Sequence, residues 1–327
     1  SSHLPRAPPR PPGGGGGGAR PPPPRPPPAP PPPPPPPAEL QLRVTAPMTD
    51  RRLPVVVLSH GHGPSQYVSS LYGYASLANY LAASGFVVLQ PTHLDSMTLG
   101  LRNADHPEAP LYWRSRAHDV SLVLDHLGVL AEVVPQVAGR LDADNVAVVG
   151  HSMGGHTAGM VLGARPRDPA TGKPVTARDE RIKAGVMIAA PGRGGDALNT
   201  TAARNYPVLA DTDFTAMTAP TLVVAGDQDH ARHLNVIGAA WQTDAYHLAP
   251  GPKSLLYVHG GEHSLGGISG YDVAETTDES LPRAAMVMRL TAAFLRTRLG
   301  LDPRAWTEEK TRLARESAHL ATVREKS

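Results

Sequence analysis

The sequence predicts an α/β protein with a mostly parallel central sheet and helices on both of its faces. Short β-branched runs read as buried strands, and apolar residues between them recur at helical spacing. One run, residues 145–150, passes directly into a glycine-rich turn and then into a helical pattern at 157–162. Strands that alternate with helices return in the same direction, and the resulting sheet is buried on both faces.

Each element has its own signature. Residues 40–45 alternate like a strand, and Leu53–Ser59 (LPVVVLS) is a continuous apolar run. Leu71, Tyr74, Ala75, Leu77, Ala78 and Leu81 lie on one helical face, and Gly85 stands where a helix would close in a left-handed turn. Residues 86–90 form the next strand, and Val120, Leu122, Val123, Leu124 and Leu127 mark a helix behind Arg114, Arg116 and Asp119, which read as a structural charge cluster. Strands follow at 145–150, 182–190, 221–225 and 254–258, and Met286, Val287, Leu290, Ala293 and Phe294 stripe a late amphipathic helix.

Composition narrows the classes. Of the first 38 residues 20 are Pro and 6 are Gly, so residues 1–38 are expected to be a disordered tail and 39–327 the folded domain. Residues 21–37 are nearly all proline, the composition of a polyproline II spacer. The tail holds four arginines and no acid, leaving 27 basic and 29 acidic residues in the body, so no nucleic-acid surface is expected. With no cysteine, disulfides, thiolate nucleophiles and thiolate-bound metals are excluded. No apolar run is long enough for a transmembrane segment, and none resembles a signal sequence, so the expected location is cytoplasmic.

Chemistry concentrates where strands end, the usual ligand edge of a parallel sheet. Gly150-His151-Ser152-Met153-Gly154 fits G-x-S-x-G between a strand and a helix, where a sharp turn would lift the Ser152 hydroxyl over the helix N-terminus. A hydroxyl needs a base, and the base an orienting acid. The strand 221–225 is followed by Asp227 and Asp229, and the strand 254–258 by His259 and His263. His263 is the preferred base, because Gly260 and Gly261 let it swing towards Ser152 while His259 reads as the strand's last residue. Two backbone N–H groups would hold a developing oxyanion, those of Met153 and of His62 in the loop Ser59-His60-Gly61-His62-Gly63.

The segments LPVVVLSHGHG, GHSMGG, PTLVVAGDQD and HGGEHSLGG, in that order, resemble the α/β-hydrolase superfamily, and within it the branch of chlorophyllases, platelet-activating-factor acetylhydrolases and cutinase-like polyester hydrolases. The resemblance spans about residues 39–300. It implies Ser152 as nucleophile, His263 as base, Asp229 as orienting acid, His62 and Met153 as oxyanion donors, and ester hydrolysis through an acyl-enzyme without a cofactor. The implied substrate is a small-molecule, lipid or polymer ester. An acyltransferase using the same triad, or a non-catalytic binding protein on the same scaffold, are the alternatives. Unlike secreted polyester hydrolases, which usually carry a disulfide, this chain has no cysteine.

Other patterns carry weaker expectations. His60-x-His62 has the spacing of a metal pair, with His93 and Asp95 nearest by strand order, but that set is too small and no metal is expected. Asp227 is the rival orienting acid, and His151 and His156 are expected to pack or to meet solvent. Residues 165–180 enter a strand and are expected to be plain surface, whereas 191–219 and 230–253 leave strands and are long enough to cap a site. Tyr67, Tyr72, Phe214 and Trp241 are expected as pocket walls, with Tyr206 and Tyr246 beside them, although the same aromatics would serve equally to close a core.

Overall fold

Alternation within the strands decides the layers. The computed structural model describes residues 38–327, so the expectations for the proline-rich tail lie outside the described residues. The strands are β1 (Gln41–Thr45), β2 (Leu53–Ser59), β3 (Val87–Thr92), β4 (Leu141–His151), β5 (Arg165–Pro166), β6 (Ile182–Ile188), β7 (Thr212–Asp213), β8 (Thr221–Gly226), β9 (Lys253–Val258) and β10 (Ala321–Lys326). Eight of them form one sheet in the order β1-β3-β2-β4-β6-β8-β9-β10, while β5 and β7 pair separately as a two-residue ribbon. The run from β3 to β9 is parallel throughout, and β1 and β10 close the two edges antiparallel.

Because successive side chains on a strand point to opposite faces, each buried strand feeds two cores. The connecting helices are α1 (Ala75–Ala83), α2 (Trp113–Asp125), α3 (Leu127–Val133), α4 (Met153–Leu162), α5 (Thr200–Asn205), α6 (Asp244–Leu248), α7 (Leu281–Arg298) and α8 (Ala305–Glu316). Val55 and Val57 of β2 pack on one face with α2. Val56 and Leu58 pack on the other with α1, α7 and α8. Full burial of one such valine or leucine contributes roughly 1.5–3 kcal/mol, which is why these runs are apolar on both sides. The chain thus has an α/β architecture with a mostly parallel central sheet. Among the described residues no helix is long and apolar enough to cross a membrane.

Several elements differ from expectation in extent. Helix α1 starts at Ala75, not Leu71, because Tyr74 sits at φ 60° and cannot be helical. Gly85 closes that helix at φ 100°, as its position required. Strand β4 begins four residues early, at Leu141, where Leu141 and Asp142 pair with Leu53 and Pro54 of β2 before a bulge leads into the apolar run. α8 and β10 carry no expectation. Only Trp306 and Leu313 of α8 are buried, and β10 (ATVREK) is a charged edge strand with Ala321 alone buried, so neither has a readable apolar face.

Candidate active site

Four loops leave the carboxyl ends of β2, β4, β8 and β9 and meet around a cavity of about 780 Å³. The β4 loop carries Ser152, at φ 57° and ψ −122°, a conformation that L-residues occupy only under constraint. Its neighbours explain why the turn needs glycines. A Cβ on Gly150 would lie 1.9 Å from the Gly154 carbonyl oxygen, and one on Gly154 would lie 2.0 Å from the Ser59 carbonyl oxygen. The Ser152 N–H is held by Ile188 O at 2.8 Å, so the turn is hung on the adjacent strand β6. Helix α4 (Met153–Leu162) begins directly after it and sets the positive end of its dipole beneath the hydroxyl.

The loops after β8 and β9 interlock. Gln228 N–H donates to Gly261 O and Asp227 N–H to Val258 O, both at 2.9 Å, and a Cβ on Gly226 would strike Gly261 O at 2.1 Å. This brings Asp229 Oδ2 within 2.8 Å of His263 Nδ1, and His263 Nε2 within 3.0 Å of Ser152 Oγ. With the proton on Nδ1 donated to the carboxylate, Nε2 presents its lone pair to the serine hydroxyl. Burial pulls the His263 imidazolium down, but the Asp229 carboxylate outweighs it, and the pKa stands above the ordinary histidine value. The rival groups pair with each other instead. His259 Nδ1 lies 3.2 Å from Asp227 Oδ2, and the other Asp227 oxygen accepts Gly260 N–H at 2.8 Å.

The β2 loop is set by its own histidines. His60 Nδ1 donates to Gly61 O at 2.8 Å, while its Nε2 accepts the His93 N–H at 3.0 Å. Within a trans peptide the C=O and N–H point opposite ways, so holding Gly61 O against the His60 ring turns the His62 N–H to the other side. A Cβ on Gly61 would lie 3.3 Å from Ser152 Cβ, which shows how closely the loop passes the hydroxyl. Neither the His62 nor the Met153 N–H has an acceptor among the described residues. The His62 ring lies 2.7 Å from Asp95, which in turn pairs with Arg116, and Arg116 also donates to His60 O and to Thr157 Oγ1 of α4. Arg116 and Asp95 are wholly enclosed, and the guanidinium holds the Asp95 carboxyl well below the usual range against the effect of burial. Both His60 ring nitrogens are thus committed to protein partners, and His62 is tied to Asp95.

The pocket walls are not the aromatics expected. Trp241 and Phe214 are 1% and 2% exposed and belong to the core beneath the sheet, because the segments after β6 and β8 fold inward over it. Tyr246 packs there too. Tyr72 stands in solvent, and Tyr67 is 41% exposed, lying against Gly270 outside the cavity. Of the aromatics weighed, Tyr206 does line the cavity, together with Val68, Leu111, Leu209, Leu234 and Arg102. Segments 191–219 and 230–253 therefore both contribute wall, through Tyr206 and Leu209 and through His230 to Leu234.

Two acids escaped sequence reading. Asp278 Oδ2 accepts the N–H groups of Glu262 and Gly266 at 2.9 Å, bracketing the turn that carries His263. Glu275 Oε1 accepts Ser65 N–H at 2.8 Å, tying the segment after His263 to the β2 loop. Both work through backbone amides, which leave no spacing signature. His151, expected to pack or meet solvent, has both ring nitrogens hydrogen-bonded, whereas neither His156 nitrogen has a partner among the described residues. No protein-family model matches the chain and no curated protein matches it, so the functional reading rests on geometry and chemistry.

Proposed function

We propose that this protein is a serine ester hydrolase with an α/β-hydrolase fold. The observation that carries the reading is the Ser152–His263–Asp229 string opening into a cavity beside two N–H groups without acceptors. Ser152 Oγ attacks the ester carbonyl as His263 Nε2 takes the hydroxyl proton, and Asp229 holds the imidazole and stabilises its cation. The negative charge on the carbonyl oxygen is met by the His62 and Met153 N–H groups at the head of α4. Collapse expels the alcohol, which takes the proton from His263, and water then releases the acyl group by the reverse sequence. A cavity of about 780 Å³, walled by Val68, Leu111, Leu209 and Leu234 with Tyr206, Arg102 and Arg232 among them, suits a small-molecule ester.

A fluorophosphonate probe and a p-nitrophenyl ester test this directly. The parent protein is labelled at Ser152 and turns over, and Ser152→Ala loses labelling and about 10⁶-fold in kcat, as in enzymes where the nucleophile acts as part of a triad. A Ser152→Ala protein that still hydrolysed the ester at the parental rate would overturn the proposal.

A further inference from the structure

Tyr74, at the head of α1, reaches the site from behind. Its hydroxyl lies 3.0 Å from Gly61 N and 2.8 Å from His151 Nδ1, and His151 Nε2 lies 2.8 Å from the carbonyl oxygen of His263. Proton positions in this chain are determined by its ends. Gly61 N–H can only donate, so the tyrosine oxygen accepts it. His263 O can only accept, so His151 carries its proton on Nε2. A neutral ring then has a bare Nδ1, and the Tyr74 O–H donates to it. Each link is used once and none conflicts.

The surroundings keep it that way. Tyr74 and His151 are 0% and 3% exposed, and Gly61 is buried. Burial pushes the His151 pKa down to about 3, so the ring stays neutral at working pH. A Cβ on Gly61 would stand 2.9 Å from the Tyr74 oxygen and 3.4 Å from His151 Nδ1, so the loop can sit on this pair only as glycine. Tyr74 itself is held at φ 60°, with its N–H bonded to Ser269 O at 2.9 Å.

We infer that Tyr74 and His151 are positioning residues, a hydrogen-bonded strut that fixes the His60–Gly61 peptide, one link before the His62 N–H, relative to the backbone of His263 across the nucleophile. Resting on the ester-hydrolase reading, the strut has the task of keeping oxyanion donor and base in register. Loss of the Tyr74 hydroxyl frees the Gly61 N–H and lets the loop drift, which weakens the oxyanion contact, while the ring that lines the cavity stays in place as phenylalanine.

The test uses the full chain, Tyr74→Phe, His151→Leu and the double variant, with a p-nitrophenyl ester and a trifluoromethyl ketone that forms a tetrahedral adduct on serine. Tyr74→Phe is expected to lose about 10- to 100-fold in kcat with KM within about twofold, below the 10²–10³-fold typical of deleting an oxyanion donor outright. The ketone's inhibition constant should weaken by the same factor as kcat/KM. Because the two side chains form one strut, the double variant should lose no more than the worse single. Tyr74→Phe at parental kcat, ketone affinity unmoved, or losses that multiply would each overturn the inference. If His151→Leu does not fold, Tyr74→Phe with the ketone still decides. A parent that neither turns over nor reacts with a fluorophosphonate removes the ester-hydrolase reading and the strut's role with it, whereas a reactive parent with an indifferent Tyr74→Phe removes the strut alone.

Discussion

Among the described residues stand two Ser–His–Asp strings of nearly equal geometry. In one, Ser152 Oγ, His263 and Asp229 are linked at 3.0 and 2.8 Å. In the other, Ser59 Oγ at the end of β2, His93 just past β3 and Asp119 on α2 are linked at 2.9 and 2.7 Å. Ser59 and His93 are wholly buried, and Ser59 sits in an ordinary strand instead of a strained turn. The imidazoles are also tuned in opposite directions. Burial and the nearby Arg116 hold His93 far below the ordinary value, whereas Asp229 lifts His263 above it. Burial raises the Asp119 carboxyl to about 7. Hydrogen-bond distances alone therefore do not make a nucleophile. Access, vacant N–H groups and an imidazole held above its ordinary pKa separate the outer string from the inner one.

The sharpest way to break the comparison is to damage each acid in turn. Asp229→Asn should cost about 10⁴-fold in kcat, by the precedent of other triads, while Asp227→Asn stays within severalfold of parent on the same ester assay. If Asp227→Asn did the damage, the orienting acid would be the wrong one. Next in size, Arg116→Met should lower stability by about 3–5 kcal/mol in urea unfolding, because it takes the guanidinium from the buried Asp95 carboxylate and leaves it only the His62 ring. Ser59→Ala should cost about 1–3 kcal/mol for leaving His93 Nε2 unpaired, with kcat within severalfold. The smallest effect is on pH. Only neutral His263 accepts the proton, so kcat/KM should rise with pH through a midpoint above 6.5. In Asp229→Asn the residual activity should show that midpoint moved to lower pH, since the charge that raised it is gone. An unmoved limb would assign it to another group.

The sheet was legible because its strands are apolar on both faces. Val55 to Leu58 and Val146 to Val149 alternate between two cores, so no polar residue interrupts them. The position of Ser152 was legible because close approach of backbones leaves room only for Gly150 and Gly154. The choice of His263 over His259 followed from the strand end and the glycines, that of Asp229 over Asp227 from the resemblance alone, and the structure brings the chosen pair to Ser152. Pocket walls were illegible, since an aromatic in a long loop looks the same whether it faces a cavity, like Tyr206, or the core, like Trp241. His151, Asp278 and Glu275 were hidden for another reason. Their partners are backbone groups or a tyrosine 77 positions away, as with Tyr74 and His151, and no local pattern records such a bond. β10 lacks the hydrophobicity of a strand because it lies at an edge, where charge guards against further pairing.

Arg116 has a consequence for the medium in which this protein works. Mobile ions weaken attraction between charges they can surround, and pairs on the outer helix such as Arg312 with Glu316 lie open to them. The Arg116–Asp95 pair admits no counterion, since neither side chain has any exposed surface. The floor under the β2 loop should therefore hold its shape in concentrated brine as it does in dilute buffer, while the periphery softens around it.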